Sequence, residues 1–359
     1  MKPIRIAVSG MHRGENPQPG ASIAGAIRQA WPDACIVGLV YNAFESGVYA
    51  TDGPDVCHAM PYPTAGLAAY LTRLAEVRAA TPFDWFIPTL DAEIVMLAGA
   101  AAELAEMGLG VRLPDPATLA SCGKAKLADL AARCGVAVPA TAVAGDVGEA
   151  LERAESAGYP VFLKGPFYDA VLVHTPAALA AAAAAILADW GPPLLVQEPL
   201  LGTEFNVMGL GDGAGGLLGQ CTLRKLIISD KGKGNGSVVV HDSRLDEITR
   251  RVMAETRWCG PFELEFIRDQ RDDGYRLIEI NPRFPAWVGF PAQLGANFPA
   301  AWVEWLLQRP VRPLPTPAPG RFFLRHQIEV TGDMGQISAL LDALPNSTNH
   351  NLTTNSLPA

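Results

Sequence analysis

The side chains best suited to chemistry lie in Phe262-Glu263-Leu264-Glu265-Phe266, a polar turn ending Asp273-Gly274, and Leu277-Ile278-Glu279-Ile280-Asn281-Pro282-Arg283. Both runs alternate as strands do, because successive strand side chains leave on opposite faces. Phe262, Leu264 and Phe266 share one face and Glu263 and Glu265 the other. On the second run Glu279 and Asn281 oppose Ile278 and Ile280. A hairpin that closes symmetrically sets Glu265 nearly opposite Glu279. Like charges so placed are destabilising unless something neutralises them. Oxygen ligands of this kind suit Mg²⁺, which is usually completed by waters and substrate phosphates. Arg283, just beyond, is placed to meet a phosphate as a planar fork. The competing reading is a solvated hairpin face, so the surrounding elements decide between the two.

Those elements read as α/β followed by α+β. Ile4–Ser9 is a strand, Gly10–Gly20 a loop bounded by Gly and Pro, and 21–30 a helix, with a second strand at Cys35–Val40. Trp85-Phe86-Ile87-Pro88, the turn Thr89-Leu90-Asp91 and a helix over 92–107 repeat the theme. This order starts a parallel sheet, whose ligand-facing groups belong at strand carboxyl ends, here Ser9–Asn16 and Thr89–Glu93. Asp115-Pro116 opens a helix over 116–133, ended by Gly135 and followed by a short strand, Val136–Val138. A helix entered at Asp146, strand Val161–Lys164 and an Ala-rich helix from Thr175-Pro176 to Trp190 follow.

Beyond Gly191 the pattern turns to β, with strands at Leu194–Glu198, Glu204–Leu210, Leu217–Ile228, Ser237–His241, Phe262–Ile267 and Tyr275–Asn281 and a helix at 244–257. The Gly-rich stretch 211–216 is a hairpin loop, because no helix follows it to cradle a phosphate. Pro310–Gly320 reads as a linker or wrap, 321–342 as a strand and a helix, and 345–359 as frayed. The expected division is 1–114, 115–190, 191–308 and a C-terminal extension, 309–359.

In this order the motifs resemble the ATP-grasp family, particularly its carbamoyl phosphate synthetase and biotin carboxylase branch, over about 85–290. Glu265 with Ile-Glu279-Ile-Asn281-Pro-Arg283 resembles the family's metal-binding end. Lys124, eleven positions before Gly135, and Lys164 in Tyr159-Pro-Val-Phe-Leu-Lys164 match its two phosphate-binding lysines, with Lys126 close in register to the first. The resemblance implies an ATP-grasp fold behind a Rossmann-like pre-ATP-grasp domain. It implies Glu265, Glu279 and Asn281 as ligands of Mg²⁺, with Mn²⁺ the other candidate ion. Gln197, Glu198, Leu200 and Leu201 form the adenine hinge in this reading, and Glu204 is the ribose-binding acid. Arg283, with Arg224 and Lys225 on the strand before, would hold the acyl phosphate or substrate carboxylate, unless the last two are an outward-facing pair. The activity implied is an ADP-forming ligase that activates a small-molecule or peptide carboxylate as an acyl phosphate and couples it to an amine or thiol. Members often form dimers. A phosphotransferase on the same fold and a nucleotide-binding regulatory protein are the alternatives.

One departure stands out. The family's Gly-rich phosphate lid follows the second lysine, whereas Lys164 precedes Gly165-Pro166-Phe167-Tyr168-Asp169. Either the lid is shortened or Asp230-Lys-Gly-Lys-Gly-Asn-Gly236 serves, unless that stretch is a flexible hairpin loop. The Gly10–Gly20 loop, with His12, Arg13 and Glu15, is either a substrate contact or a Pro-stiffened turn.

Composition narrows the partners. A net charge of −9 over 359 residues argues against a nucleic-acid or anionic-membrane surface. No apolar stretch reaches the roughly 20 residues of a membrane helix, and the opening is too short for a signal peptide. Six cysteines without a CxxC pair suggest reduced thiols in a cytoplasmic protein. The first strand lacks GxGxxG, and the scattered histidines form neither a zinc site nor a triad.

Overall fold

The computed structural model describes residues 3–166, 170–229, 232, 234–311 and 313–343. The chain up to Val111, with a return segment from Gln327, forms one compact unit, and Arg112–His326 forms a second.

In the first unit β1 (Arg5–Ser9), β2 (Cys35–Val40), β3 (Val56–Ala59) and β4 (Trp85–Ile87) form a sheet in the order β3-β2-β1-β4. Every pairing in it is parallel. The central strands are apolar runs buried on both faces, as a helix-covered parallel sheet requires. Helices Gly20–Ala30 and Leu67–Ala80 supply much of the cover. The single helix expected over 92–107 is two, Asp91–Ala98 and Ala101–Glu106. The return segment adds helix Met334–Ala343.

The strand ends differ from the ligand-facing reading. Glu93 is fully buried and reaches back to the Thr89 and Leu90 N–H groups (2.9 and 3.3 Å), as an acid in the first turn of a helix can. It also accepts from Ser9 Oγ at 2.6 Å and from the hydroxyls of Tyr41 and Tyr70. Ser9 and Glu93 are therefore joined inside the core. Gly10 has φ 72°, and a Cβ there would lie 2.3 Å from Thr89 Oγ1, so only glycine fits. In the following loop Arg13 makes a bidentate pair with Asp52 (2.8 and 2.9 Å), which ties it to the protein.

Glu45 holds the base of this loop. Its buried carboxylate accepts from the Met11, Tyr41 and Asn42 N–H groups at 2.6, 2.7 and 3.2 Å. Burial outweighs these bonds and pushes its pKa up from 4.5 to about 7. The folded chain then binds this proton more tightly than the unfolded chain does. Stability from this group is greatest below 4.5 and declines as pH rises towards 7, by up to about 3 kcal/mol. Urea midpoints of the Glu45→Gln variant should lack this decline between pH 4.5 and 7. An identical slope in both proteins would remove Glu45 as its source.

The second unit carries two sheets. The smaller has β5 (Thr141–Ala144), β6 (Val161–Lys164), β7 (Ala170–Val173) and β8 (Leu194–Gln197) in the order β5-β8-β6-β7, all antiparallel. Helices Val147–Ala157 and Pro176–Trp190 pack on it through Ala150, Ala154, Leu179, Ala183 and Ile186. The Ala-rich run is thus a helix with one buried stripe. The strand expected at 136–138 is only an isolated bridge from Ala137 to Arg276. The helix expected over 116–133 breaks at Gly123, which is extended, leaving Pro116–Cys122 and Leu127–Arg133 with Lys124 in the turn between them.

The larger sheet has β9 (Gly202–Asp212), β10 (Leu217–Ile228), β11 (Gly234–Val239), β12 (Cys259–Asp269), β13 (Tyr275–Asn281) and β14 (Phe322–Leu324). Its order is β13-β12-β9-β10-β11-β14, with antiparallel pairing throughout. The Gly-rich stretch after Gly211 is the β9–β10 hairpin loop, where the Asp212 carboxylate accepts from Ala214 and Gly216 N–H. No described helix is long and apolar enough to cross a membrane.

Candidate active site

Strand pairing assembles the site. Glu265 on β12 faces Glu279 on β13, and Glu263 faces Asn281, with a register shift just after Glu265. On the other side of β12, Glu265 is paired with Asn206 of β9. Alternation therefore puts Glu204, Asn206, Glu263, Glu265, Glu279 and Asn281 on one face of the sheet. Asn281 Nδ2 donates to Glu265 at 3.0 Å and to Glu263 at 3.2 Å, and Arg283 donates to Asn281 Oδ1 at 3.3 Å. Among the described residues no three His, Cys, Asp or Glu side chains converge as a closed metal cage.

Lysines neutralise the facing carboxylates. Lys124, placed by the turn after Gly123, lies 3.3 Å from Glu279. Lys225, only 6% exposed, lies 2.7 Å from Glu204 and 3.4 Å from Glu265 and also donates to the Gly232 carbonyl at 3.0 Å. Burial opposes its charge, yet Glu265 and Glu204 outweigh burial and raise its pKa. Lys164, at the end of β6, behaves in the opposite sense. Burial lowers its pKa, with Lys124 adding to the effect and Glu279 only partly offsetting it. Its ammonium is held down chiefly by lost hydration, which Glu279, Glu265 and Glu204 offset only in part. Burial and the neighbouring Glu265 likewise raise Glu263, with Arg283, Trp287 and Asn206 acting against them.

Other expected site residues are placed less openly. Gln197 is buried at the end of β8 and donates to Thr141 Oγ1 at 2.9 Å. The Glu198 carboxylate accepts from Ala140 N–H and pairs with Arg271, both at 2.9 Å, and its own N–H bonds the Ala140 carbonyl. Its polar groups thus clamp the chain to a neighbouring segment and to the β12–β13 turn. Leu200 is half-buried and Leu201 is exposed. Arg224 is exposed and, as the strand neighbour of Lys225, leaves the sheet on the opposite face from the carboxylates. Lys126 begins the helix after the turn and does not line the cleft beside Lys124 and Lys164. That cleft is lined by Lys124, Lys164, Pro139, Thr141, Gln197 and Ile278, which come from both sheets of the unit, the turn and the segment before β5. Phe167–Asp169, Asp230, Lys231 and Lys233, which bear on the lid, lie outside the described residues.

Sequence reasoning did not single out Asn206, Trp287 or Thr141, and it gave Glu263 no role. Asn206 follows Glu204 by two positions on one strand, a spacing that places both on one face. Trp287 had no comparable local signal.

A family described as ATP-grasp in the biosynthetic pathway with Ter operon matches residues 191–326, the stretch that holds the larger sheet. Among solved structures the chain is similar to L-amino acid ligase from Bacillus licheniformis, at 17% identity and TM-score 0.63, covering 87% of this chain and 78% of that one. It is similar to biotin carboxylase from Campylobacter jejuni in a β,γ-ATP complex, at 16% identity and TM-score 0.66, covering 87% and 72%. The chain has the ATP-grasp fold. A third ATP-grasp neighbour is the biotin carboxylase domain dimer of Hydrogenobacter thermophilus 2-oxoglutarate carboxylase, in complex with MgADP, ADP and bicarbonate. It is 18% identical with TM-score 0.64, covering 86% of this chain and 70% of that one. No curated protein matches the chain by sequence.

The ATP-grasp fold implies a divalent ion and a nucleotide, and the donor set here fits a hard cation. Two facing carboxylates would supply oxygen ligands and leave positions for phosphate and water, while the Asn281 amide beside them turns its nitrogen to Glu265 and its oxygen to Arg283. Asn206 Oδ1 is buried beside them without a partner, an acceptor of the kind an ion or its water satisfies.

Proposed function

We propose that this chain is an ADP-forming ligase, which activates a small-molecule or peptide carboxylate as an acyl phosphate and passes the acyl group to an amine. The observation that carries this is the facing pair Glu265 and Glu279 with Asn281 on an ATP-grasp sheet, beside the cleft lined by Lys124 and Lys164. Mg²⁺, or Mn²⁺ in its place, would be held by Glu265, Glu279 and Asn281 and would supply charge neutralisation for the phosphoryl group in transfer. Lys124 and Lys164 bind phosphate oxygens as compact point charges, and Arg283 holds the transferring group as a fork. Gln197 and the strand end through Leu201 border the base, and Glu204 serves the sugar or, through Lys225, the phosphates. Such a step needs positioning and charge and no protein nucleophile. The acyl phosphate is then attacked by the amine, a thiol being the less common acceptor, and phosphate leaves. Water must be kept out because it competes with the amine.

The test is ADP release and product mass across small acids and dipeptides, with and without amines, in Mg²⁺. Expected is ADP formation that needs an acid and a new amide that appears only with an amine. A stable phosphorylated acid formed in full without amine would make the chain a phosphotransferase. ATP binding without turnover across the whole screen would remove the enzyme reading.

A further inference from the structure

Glu263 has no place in the reactions above, yet it is the most enclosed carboxylate of the site, only 4% exposed and flanked on its strand by Phe262 and Leu264 in the core. A carboxylate so placed is strongly disfavoured by lost hydration unless donors surround it. Donors do surround it. Its Oε1 accepts from Asn206 Nδ2 at 2.7 Å and Trp287 Nε1 at 2.9 Å. Its Oε2 accepts from Asn281 Nδ2 at 3.2 Å and lies 3.8 Å from the Arg283 guanidinium. Folding alone would be as well served by a neutral side chain there, as in the replacement of other buried charges.

We propose that Glu263 is a positioning residue that fixes the amide of Asn206 so that its carbonyl oxygen is presented to the divalent ion. This rests on the reading of the site as a Mg²⁺–nucleotide centre. An asparagine amide is nearly symmetric in shape, and its hydrogen-bond partners decide which end faces a ligand. Glu263 can only accept, so it draws the NH₂ end of Asn206, and it shares that of Asn281 with Glu265, which accepts it at 3.0 Å. The oxygens are thereby turned elsewhere, Asn281 Oδ1 towards Arg283 and Asn206 Oδ1 into a buried position without a partner. Trp287 and Arg283 hold the carboxylate itself, which links the segment after β13 to the orientation of the ligand set. Asn206 becomes a further oxygen of that set, directly or through water.

The Glu263→Gln variant keeps the shape and brings an NH₂ donor against donors, so an amide that now donates to Glu263 is released from its present orientation. ADP is titrated by calorimetry with Mn²⁺ present and with EDTA, and folding is checked by circular dichroism. Wild type should bind ADP more tightly with Mn²⁺. The variant should lose about 10–100-fold of that metal-dependent gain, the size expected for the partner of a ligand, while its affinity in EDTA stays at the wild-type value. A full gain in the variant overturns the assignment of Glu263 alone. No gain in wild type overturns the Mg²⁺–nucleotide reading beneath it. Equal losses with and without the metal make Glu263 merely structural. Should Glu263→Gln fail to fold, Trp287→Phe removes one donor and keeps a ring. It should lose several-fold of the gain, and an unchanged gain would overturn the proposal.

Discussion

Glu279→Gln is expected to cut ADP formation by roughly 10²–10³-fold, the scale seen when one preorganised electrostatic group is removed from a reacting centre. The substitution keeps shape and removes one of the two carboxylates that face each other across β12 and β13. Its effect on folding should be small, because the side chain is 30% exposed and the change also relieves repulsion with Glu265. Steady-state ADP release and a thermal melt, measured on one preparation, separate the two effects. Wild-type turnover in the variant would reject the role of Glu279. A collapse of the melt would instead make the pair a structural feature.

Lys164→Met should weaken ATP binding by about 30-fold, the equivalent of roughly 2 kcal/mol for a hydrogen bond to a charged group. Methionine keeps most of the stem and deletes the ammonium. The contrast with Lys225 explains the choice. The charge of Lys225 is answered by Glu204 and Glu265, and its pKa is raised. That of Lys164 is held down by burial and by Lys124, which Glu279, Glu265 and Glu204 only partly offset. A cation in such a place is destabilised until an anion arrives, so the protein without nucleotide should melt no earlier after the change. Titration calorimetry with ATP and Mg²⁺ reads the loss. Unchanged affinity would show that Lys164 does not meet the phosphates.

Much of this site is legible in the sequence because it depends on short-range alternation. The hairpin from Phe262 to Asn281 carries its own register, so the meeting of Glu265 and Glu279 follows from counting along two strands joined by one turn. Non-local pairing is harder to read. Arg224 and Lys225 are neighbours of similar chemistry, and only the alignment of β10 with β9 decides which faces the carboxylates. Glu263 could be assigned to the face of Glu265, but its partners come from β9 and from the turn beyond β13, neither of which its own strand specifies. In the first unit Glu93 sits at a strand end where ligand contacts are common, and the folded chain draws it inward to Tyr41, Tyr70 and Ser9. β3 (Val56–Ala59) is short and mostly half-exposed, and β7 (Ala170–Val173) is mostly exposed, so neither shows a strong pattern. The helix over 116–133 looked continuous because Gly123 alone interrupts good helix formers. That break is what frees Lys124 to reach Glu279.

On the ion–nucleotide reading proposed above, the pairing of Lys124 with Glu279 and of Lys225 with Glu265 bears on how the cleft would be loaded. Each acid already has a tethered counter-ion, so a bare divalent ion arriving alone must evict an ammonium and leave it stranded. Delivered with a polyphosphate, the same ion brings a new anion for every ammonium it displaces. Exchange of partners is then nearly balanced in charge at each moment, which favours entry of ion and nucleotide as one complex over capture of either first.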